Sequence, residues 1–297
     1  MLNLHWPKTN TPARVVMLGA NGFLAHHLEQ RLDASGISLR AVGSGEIDLT
    51  KPQADDKLAG LLKATDCLLI LSAITPDKGR NITAFMANIA MGHTICRALA
   101  AQPVAHLVYV SSDAVYPFTN APVTEASPAA PSDLYSAMHR AREIMLATAA
   151  PETPLAILRP TMILGADDTH NSYGPNRFRR QARAEGRIVL GGEGEETRDH
   201  IYIDDAVALI ELTLNHRATG ILNLATGRST SFRDIAGMVA TCFDSHLKIE
   251  TTERRLPITH RQFDTTCVHT AFPEFRFTPL ERALELSHQV EGKQARP

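Results

Sequence analysis

Short apolar runs alternate with helical patterns through the first half of the chain, and this alternation limits the possible folds more than any other feature. It is typical of a parallel sheet that is covered by helices on both faces. Because the connections in such sheets are right-handed, we expect an α/β fold with a Rossmann-like, doubly wound parallel sheet. The predicted strands are 14–18, 39–42, 67–71, 106–110 and 155–158, and the predicted helices are 23–34, near 57–63, 82–100 and 134–149.

The pattern becomes less regular after Arg159-Pro160. There the sequence predicts helices at 176–185, 204–215 and 232–242 and a strand at 188–190. We therefore expect a Rossmann-like domain at 1–160 and a smaller, mixed α/β lobe for the substrate at 161–297, with parts of 200–226 returning to the first domain. The segment 119–132 is rich in Pro, Ala and Ser, which predicts a surface loop.

The composition excludes several classes of function. The 297 residues include 30 basic and 32 acidic side chains, and the net charge of -2 gives no general attraction to nucleic acid or to acidic membranes. The 4 cysteines and 13 histidines are scattered without the spacing of a metal site, so no metal is expected. Because the chain shows neither a signal peptide nor an apolar stretch of membrane-spanning length, we expect a cytoplasmic protein.

A glycine-rich turn, Gly19-Ala20-Asn21-Gly22-Phe23-Leu24-Ala25, directly follows the first predicted strand. Glycine permits a tight turn and a close approach of the backbone to a pyrophosphate, and the N-terminus of the next helix presents free N–H groups to the phosphates. An ordinary strand-to-helix turn is the alternative, but the position between a strand and a helix favours a dinucleotide site. The predicted cofactor contacts in this turn are Gly19, Asn21, Gly22, Phe23 and Leu24.

The end of the second strand carries neither the acidic residue that binds the ribose diol of NAD nor the basic residue that accepts the 2′-phosphate of NADP. Arg40 lies just before this strand end and Glu46 just after it, so either residue is able to reach the ribose. We expect NAD, with NADP not excluded. A turn cap is the alternative role for Asp48. The further predicted cofactor contacts are Ser44, Asp48, Leu49, Ser72 and Ala73.

Tyr135 and His139 are predicted to share one face of the helix at 134–149, because they are four residues apart. A nearby cation lowers the pKa of a phenol toward a useful acid–base range, but histidine carries only part of a charge near neutral pH. Ser111 and Ser112 follow the strand at 106–110. A hydroxyl there is placed to hold a substrate oxygen near Tyr135, or simply to satisfy backbone groups at the strand end.

Several motifs together resemble the extended short-chain dehydrogenase/reductases of the NAD-dependent epimerase/dehydratase family, whose members mostly act on nucleotide sugars. The motifs span nearly the whole chain in the expected order. They are the turn at 19–25, Ser111-Ser112-Asp113-Ala114-Val115-Tyr116, the run 135–143, Leu158-Arg159-Pro160, and the run 197–205.

The resemblance implies a role for each matching residue. Ser112 would orient the reacting oxygen and Tyr135 would be the catalytic acid/base, with Asp113 in the same catalytic group. The family usually has lysine where this chain has His139, and the residue at this position would bind the nicotinamide ribose and tune the tyrosine. Pro160 would contact the cofactor.

On the substrate side the resemblance implies that Arg198 and Arg255 hold a diphosphate, a task that suits a guanidinium group. A salt bridge is the alternative for either arginine. Met162, at a predicted substrate contact, stands where many sugar-nucleotide enzymes have asparagine, and Ile258 stands where some epimerases have aspartate. These departures predict weaker binding of a nucleoside diphosphate or a different ligand. The dehydratase subset has an Asp-Glu pair where this chain has Asp113-Ala114, so dehydration is less expected.

We therefore expect an NAD(P)-dependent epimerase or ketoreductase that acts on a sugar, with a nucleotide sugar as the small-molecule partner that Ser112 and Tyr135 contact. The sequence does not separate epimerisation from reduction. The alternative is a cofactor-binding sensor or regulatory protein with little catalysis, which His139 and Met162 favour. Because similar enzymes form dimers through the two helices at 82–100 and 134–149, the resemblance also allows a homodimer.

Overall fold

The computed structural model describes residues 2–243, 247–255 and 257–294 of the chain. β1 runs antiparallel to its neighbour in the main sheet, and all other neighbouring strands there run parallel. The parallel, Rossmann-like sheet that the sequence predicts is thereby confirmed. The sheet has seven strands in the spatial order β1 (Leu2–Asn3), β10 (Thr219–Leu224), β6 (Leu155–Pro160), β5 (His106–Val110), β4 (Cys67–Ile70), β2 (Val15–Leu18) and β3 (Leu39–Val42).

The neighbouring strands β2 and β4 are apolar throughout because helices bury both faces of the sheet. In β2, Val15 and Met17 pack into one core while Val16 and Leu18 pack into a second core on the opposite face. The first core includes residues of α1 (Phe23–Ala34) and α6 (Ile203–Asn215). The second core includes residues of α2 (Ala54–Leu61), α3 (Ile82–Ala101) and α4 (Leu134–Ala149).

A capping box fixes the start of α4. The Asp133 carboxylate accepts a hydrogen bond from the backbone N–H of Ser136 at 2.9 Å, and the Asp133 N–H donates to the Ser136 hydroxyl at 3.2 Å. Such reciprocal bonds satisfy N–H groups that a helix start otherwise leaves open. Because Tyr135 lies in this first turn, the capping box also fixes the position of its side chain.

Residues beyond β6 build a smaller mixed lobe. An aromatic cluster of Tyr173, Phe178 and Phe232 lies in its core, with the Tyr173 ring centroid 5.1 Å from Phe178 and 4.7 Å from Phe232. The strands of the lobe form two small sheets, one with the order β11 (Ser229–Ser231), β9 (Thr197–Tyr202) and β7 (Met162–Leu164), the other with β12 (Lys248–Thr252) beside β8 (Arg187–Gly191). Its helices are α5 (Pro175–Glu185), α7 (Phe232–Thr241) and α9 (Leu280–Gln294), whereas α8 (Thr266–Ala271) packs against β1 and β10 of the main sheet.

The structure contains several elements that the sequence patterns do not predict, among them β9 and β10. Strand β10 lies beside β6 in the main sheet. In the chain, however, the lobe strands β7 to β9 come between β6 and β10. The division of the chain at residue 160 stays a prediction. Within the described residues, no helix combines the length and apolar character required to cross a membrane.

Candidate active site

A cavity of about 1510 Å³ lies where the main sheet meets the smaller lobe. Strand β2 lies between β3 and β4, so the chain leaves β2 toward one side and later returns to the other. Loops part at such a switch point, and ligands of open parallel sheets bind there, outside the carboxyl ends of the strands. The cavity brings together every site residue that the sequence predicts, namely Gly19, Asn21, Gly22, Phe23, Leu24, Ser44, Asp48, Leu49, Ser72, Ala73, Ser112, Asp113, Tyr135, His139, Pro160, Met162, Arg198 and Arg255.

The turn after β2 leaves no room for a side chain at Gly19. Its φ of +103° is in the region that favours glycine, and a Cβ there would lie 2.9 Å from the backbone nitrogen of Ser72. Helix α1 then begins without a side-chain cap and without an acidic residue in its first turn. Open N–H groups and the positive end of the helix dipole therefore face the cavity, which fits the diphosphate of a dinucleotide.

An ion pair between two oppositely charged side chains lies near the end of β3. Arg40 pairs with Glu46, and it also donates to the carbonyl of Ala41 at 3.0 Å. Asp48 accepts hydrogen bonds from the backbone N–H and the hydroxyl of Thr50 at 3.0 and 2.7 Å, and these bonds lower its pKa. Asp48 therefore caps a turn, and it lines the cavity as well.

Tyr135 and Ser112 line the cavity together. The Ser112 hydroxyl oxygen accepts a hydrogen bond from the backbone N–H of Ala114 at 3.1 Å, which leaves its hydrogen free to donate. Burial raises the pKa of Tyr135 above its usual range, and an interaction with the Ser112 hydroxyl acts in the opposite direction. Both roles considered for Ser112, backbone cap and ligand contact, are compatible with this geometry.

His139 packs edge-on against Tyr135, with 4.7 Å between the ring centroids. Its Nδ1 lies 2.7 Å from the hydroxyl of Tyr109, and its Nε2 has no protein partner among the described residues. Burial, assisted by the charge of Arg142, lowers the pKa of His139 to about 3. The partial positive charge expected at position 139 is therefore absent near neutral pH, because the imidazole is desolvated and lies near a permanent cation.

Asp113 has a fixed partner. Its carboxylate lies 2.8 Å from Nη1 of Arg261, a buried arginine that also donates to the backbone carbonyls of Asp113 and Tyr116 at 3.1 and 2.7 Å. We infer that Asp113 holds the segment around residue 261 against the strand end. This positioning role, rather than a place in the catalytic group with Ser112 and Tyr135, is our proposal for Asp113.

Arg198 is held at the wall of the cavity by its own lobe. Its Nη1 donates to the carbonyls of Thr197 and Thr259 at 2.8 and 2.7 Å, and its Nη2 donates to the Thr259 hydroxyl at 2.7 Å. The guanidinium carbon lies 4.7 Å from the centroid of the Phe118 ring. In the described part of the chain, Nε and the second hydrogen of Nη2 have no protein partner, so they stay available to a ligand.

The cavity also contains residues that the sequence analysis misses. His170 lies 3.0 Å from the Asp77 carboxylate and 3.3 Å from the Thr75 hydroxyl, which links two loops across the cavity. Tyr173 and Arg177 line the same wall. These residues lie in or beside irregular loops and share no motif or spacing, so the sequence contains no local signal for them.

The fold and the cavity define a dinucleotide-binding α/β enzyme of the Rossmann type. A comparison with known families agrees with this class, because the sequence profile of the NAD dependent epimerase/dehydratase family matches residues 15–225. The chain belongs to this family.

Solved structures with the same fold share about a fifth of their residues with this chain. UDP-N-acetylglucosamine 4-epimerase from Methanobrevibacter ruminantium, solved with UDP-N-acetylmuramic acid, is 19% identical with a TM-score of 0.83 over 96% of this chain and 100% of its own. RMD from Pseudomonas aeruginosa, solved with NADPH, is 19% identical with a TM-score of 0.84 over 95% and 100%. UDP-glucose 4-epimerase from Thermus thermophilus, solved with NAD, is 18% identical with a TM-score of 0.81 over 95% and 99%.

Proposed function

We propose that this protein transfers a hydride between a nicotinamide cofactor and a carbon of a sugar, and that its substrate is a nucleotide sugar. The observation that carries the proposal is the meeting of Ser112, Tyr135 and His139 in the cavity that the glycine turn also lines. The similar structures support the same chemistry, because they are complexes with NAD, with NADPH and with a UDP-linked sugar.

The chain's own residues act on the oxygen of the reacting carbon. A bound nicotinamide supplies or accepts the hydride. The free hydrogen of the Ser112 hydroxyl is placed to donate to the substrate oxygen, because the Ser112 oxygen is already held by the N–H of Ala114. The Tyr135 hydroxyl then exchanges the proton with the same oxygen as a general acid or base.

The protonation state of Tyr135 favours carbonyl reduction over epimerisation. Burial raises the pKa of Tyr135, and the neutral His139 does not counter this effect, so the phenol keeps its proton near neutral pH. A protonated phenol is ready to donate to a carbonyl oxygen, whereas the oxidation that begins an epimerisation requires the phenolate. Reduction of a keto sugar is therefore the reaction that we propose.

NAD is the cofactor that the end of β3 fits better. A free basic side chain is required to bind the 2′-phosphate of NADP. Arg40 is held by the Glu46 carboxylate and by the Ala41 carbonyl, so its charge is largely neutralised. A substrate diphosphate, in turn, is served by the two open N–H groups of Arg198 and by Arg255, an exposed residue on the cavity wall.

The test is an incubation of the full chain with NADH or NADPH and a panel of UDP- and GDP-linked keto sugars. We expect one reduced cofactor to be consumed for each sugar alcohol formed, as followed by nicotinamide absorbance and mass spectrometry. Tyr135→Phe should lower turnover by about 10²- to 10⁴-fold, the usual contribution of a general acid, and leave the cofactor Kd nearly unchanged. Tyr202→Phe removes a buried hydroxyl outside the cavity and is the matched control.

Each other outcome has a definite meaning. Conversion of a nucleotide sugar into its isomer without net cofactor consumption would replace reduction by epimerisation. Full turnover in Tyr135→Phe would exclude Tyr135 as the acid. A wild-type chain that binds no nicotinamide cofactor would overturn the proposal, and one that binds it without turnover of any sugar would instead support a sensor.

A further inference from the structure

Two buried side chains lie behind the pair of Tyr135 and His139, and the sequence patterns assign a role to neither. One is Tyr109 on β5, whose hydroxyl lies 2.7 Å from His139 Nδ1. The other is Arg142 on α4, whose guanidinium carbon lies 5.1 Å from the centroid of the Tyr109 ring. The residues Tyr109, His139 and Arg142 thus form one contiguous group at the wall of the cavity.

The hydrogen bond between Tyr109 and His139 selects one tautomer of the imidazole. Burial raises the pKa of Tyr109 to about 12, so its hydroxyl is protonated at neutral pH. A buried hydroxyl hydrogen requires an acceptor, and Nδ1 of His139 is the partner that the structure gives it. The phenol therefore donates to Nδ1, and the imidazole carries its own hydrogen on Nε2, the ring nitrogen without a partner among the residues that the structure describes.

Arg142 is a buried cation without a carboxylate partner among the described residues. Its Nη1 donates to the backbone carbonyl of Ser72 at 2.7 Å, while Nε and Nη2 have no partner in the same part of the chain. Gly92 on α3 makes the space for it, since a Cβ there would lie 3.1 Å from Cγ of Arg142. Because burial of an unpaired charge is unfavourable, a charge in such a place is a candidate for a functional role.

We propose that Tyr109 and Arg142 are positioning residues of the active site: Tyr109 holds His139 as a neutral donor through Nε2, and Arg142 supplies behind it a fixed positive charge that keeps the imidazole neutral. The inference rests on the proposed function, because it takes a nicotinamide cofactor to bind beside His139, where the family resemblance implies a contact with the ribose. It deepens that function by assigning this contact to three residues: a donor, the residue that orients it and a cation that keeps it neutral.

The other groups around His139 leave Arg142 as the dominant charge. From its own helix His139 faces Tyr135 and Arg142, and from β5 it faces Tyr109, whose phenol is neutral. Glu143, also on α4, is neutralised by Arg159, which binds both of its carboxylate oxygens at 2.9 and 2.7 Å. The local field at the imidazole therefore comes mainly from Arg142, and it opposes protonation of His139.

The tautomer of His139 is measurable without substrate or cofactor. Nitrogen NMR of the imidazole rings in the full chain, with His139→Gln to identify the resonances, should show a neutral ring protonated on Nε2 across the range about pH 5–8. In Tyr109→Phe the ring should populate both neutral tautomers. A wild-type His139 that is protonated on Nδ1 or charged near neutral pH would overturn the role of Tyr109, as would an unchanged spectrum in Tyr109→Phe.

The role of Arg142 is tested by its charge. In Arg142→Met the titration midpoint of His139 should rise by about one pH unit or more, whereas Arg142→Lys, which keeps the charge, should leave it low. Both proteins are checked for cooperative unfolding first, and Arg142→Gln, which also removes the charge, is used if Arg142→Met does not fold. A midpoint that stays unchanged in Arg142→Met, or that rises equally in Arg142→Lys, would remove Arg142 from the proposal.

An NADH titration of the same proteins separates this inference from the proposed function. Tyr109→Phe should raise the NADH Kd about twofold, because only about half of the rings then carry the hydrogen on Nε2 before NADH binds. Tyr202→Phe removes the hydroxyl of a buried tyrosine outside the cavity, and it should change neither the tautomer nor the Kd. If the wild type binds no NADH while His139 keeps its tautomer, the proposed function is wrong, but the role of Tyr109 in orienting His139 is still supported.

Discussion

The two halves of the cavity are built in different ways. The strand-end half, formed by the turn at 19–25, Ser72, Ser112, Tyr135 and His139, uses backbone and neutral side chains at the carboxyl ends of parallel strands. The lobe half, formed by Arg198, Thr259, Arg254 and the loop around Tyr173, uses charged side chains that are far apart in the chain. Arg198 is held by Thr259, and Arg254 pairs with Glu195 and Glu196.

This difference indicates how each half recognises a ligand. A glycine turn and an uncapped helix end bind any diphosphate-linked dinucleotide in one geometry, because their donors are fixed by the backbone. Arginines that are held by residues from separate loops bind a ligand only when those loops are correctly placed relative to one another. Cofactor binding by the strand-end half should therefore tolerate changes in the lobe, whereas binding of the substrate diphosphate should depend on the lobe.

The largest expected effect is in the strand-end half, at Gly19. Gly19→Ala places a Cβ 2.9 Å from the Ser72 nitrogen at a φ of +103°, so the turn must shift away from the position that accepts a pyrophosphate. We expect the NADH Kd to rise by about 100-fold, as measured by fluorescence titration.

The matched control for this change is Gly60→Ala, since a Cβ on Gly60 in helix α2 meets no atom within 4 Å. It should bind NADH as the wild type does. A Gly19→Ala protein with the NADH affinity of the wild type would show that the turn is not the pyrophosphate site. It would also contradict the proposal that the strand-end half binds the cofactor through its backbone.

A second effect should be similar on the two sides, because each has a buried neutral histidine, His139 at the cavity and His200 in β9 of the smaller lobe. Burial lowers the pKa of His139 to about 3 and that of His200 to about 4. The unfolded chain binds a proton at each near about pH 6.5 and the folded chain does not, so this stability is complete above that pH and is lost as the pH falls toward about 4. Each histidine should lower the free energy of unfolding by up to about 1.4 kcal/mol per pH unit in that window.

Urea unfolding at several pH values measures this loss. His139→Gln and His200→Gln should each reduce the slope of stability against pH by the contribution of one proton. If only one of the two variants does so, the other histidine is already protonated or solvated in the folded protein, and the two halves differ in burial as well as in construction.

The next effect is smaller and belongs to the lobe half. Arg198→Met keeps an apolar side chain of similar length but loses the guanidinium that lies over Phe118 and is open to a diphosphate. We expect KM for the nucleotide sugar to rise about tenfold, as for the loss of a charged hydrogen bond, with an unchanged NADH Kd. Arg187→Met removes an exposed arginine away from the cavity and should alter neither value. A parallel rise of the NADH Kd in Arg198→Met would show that the halves are coupled.

The strand-end half follows from short spacings in the sequence, whereas in the lobe half only single residues such as Arg198 and Arg255 are indicated, by the family resemblance, and the reason is physical. Residues 19–25 and the pair of Tyr135 and His139 are set by short spacings, and a strand, a turn or a helix converts such spacings directly into positions. Arg261 binds Asp113, and Arg198 binds Thr259. Both contacts join residues that are far apart in the chain, so only the folded structure reveals them. The neutral state of His139 also depends on packing, since burial and Arg142 decide it.

The smallest effect concerns cofactor choice at the edge of the strand-end half. Glu46→Gln removes the carboxylate that holds Arg40, and both side chains are largely exposed, so the freed cation can turn toward a 2′-phosphate. We expect the ratio of NADPH to NADH affinity to rise about threefold at low salt, and less at high salt, because solvent screens exposed charges. Glu185→Gln makes the same change in net charge beside Arg187, away from the cavity, and should leave the ratio unchanged. An equal shift in both variants would trace the effect to net charge, and Arg40 would then lie out of reach of the ribose.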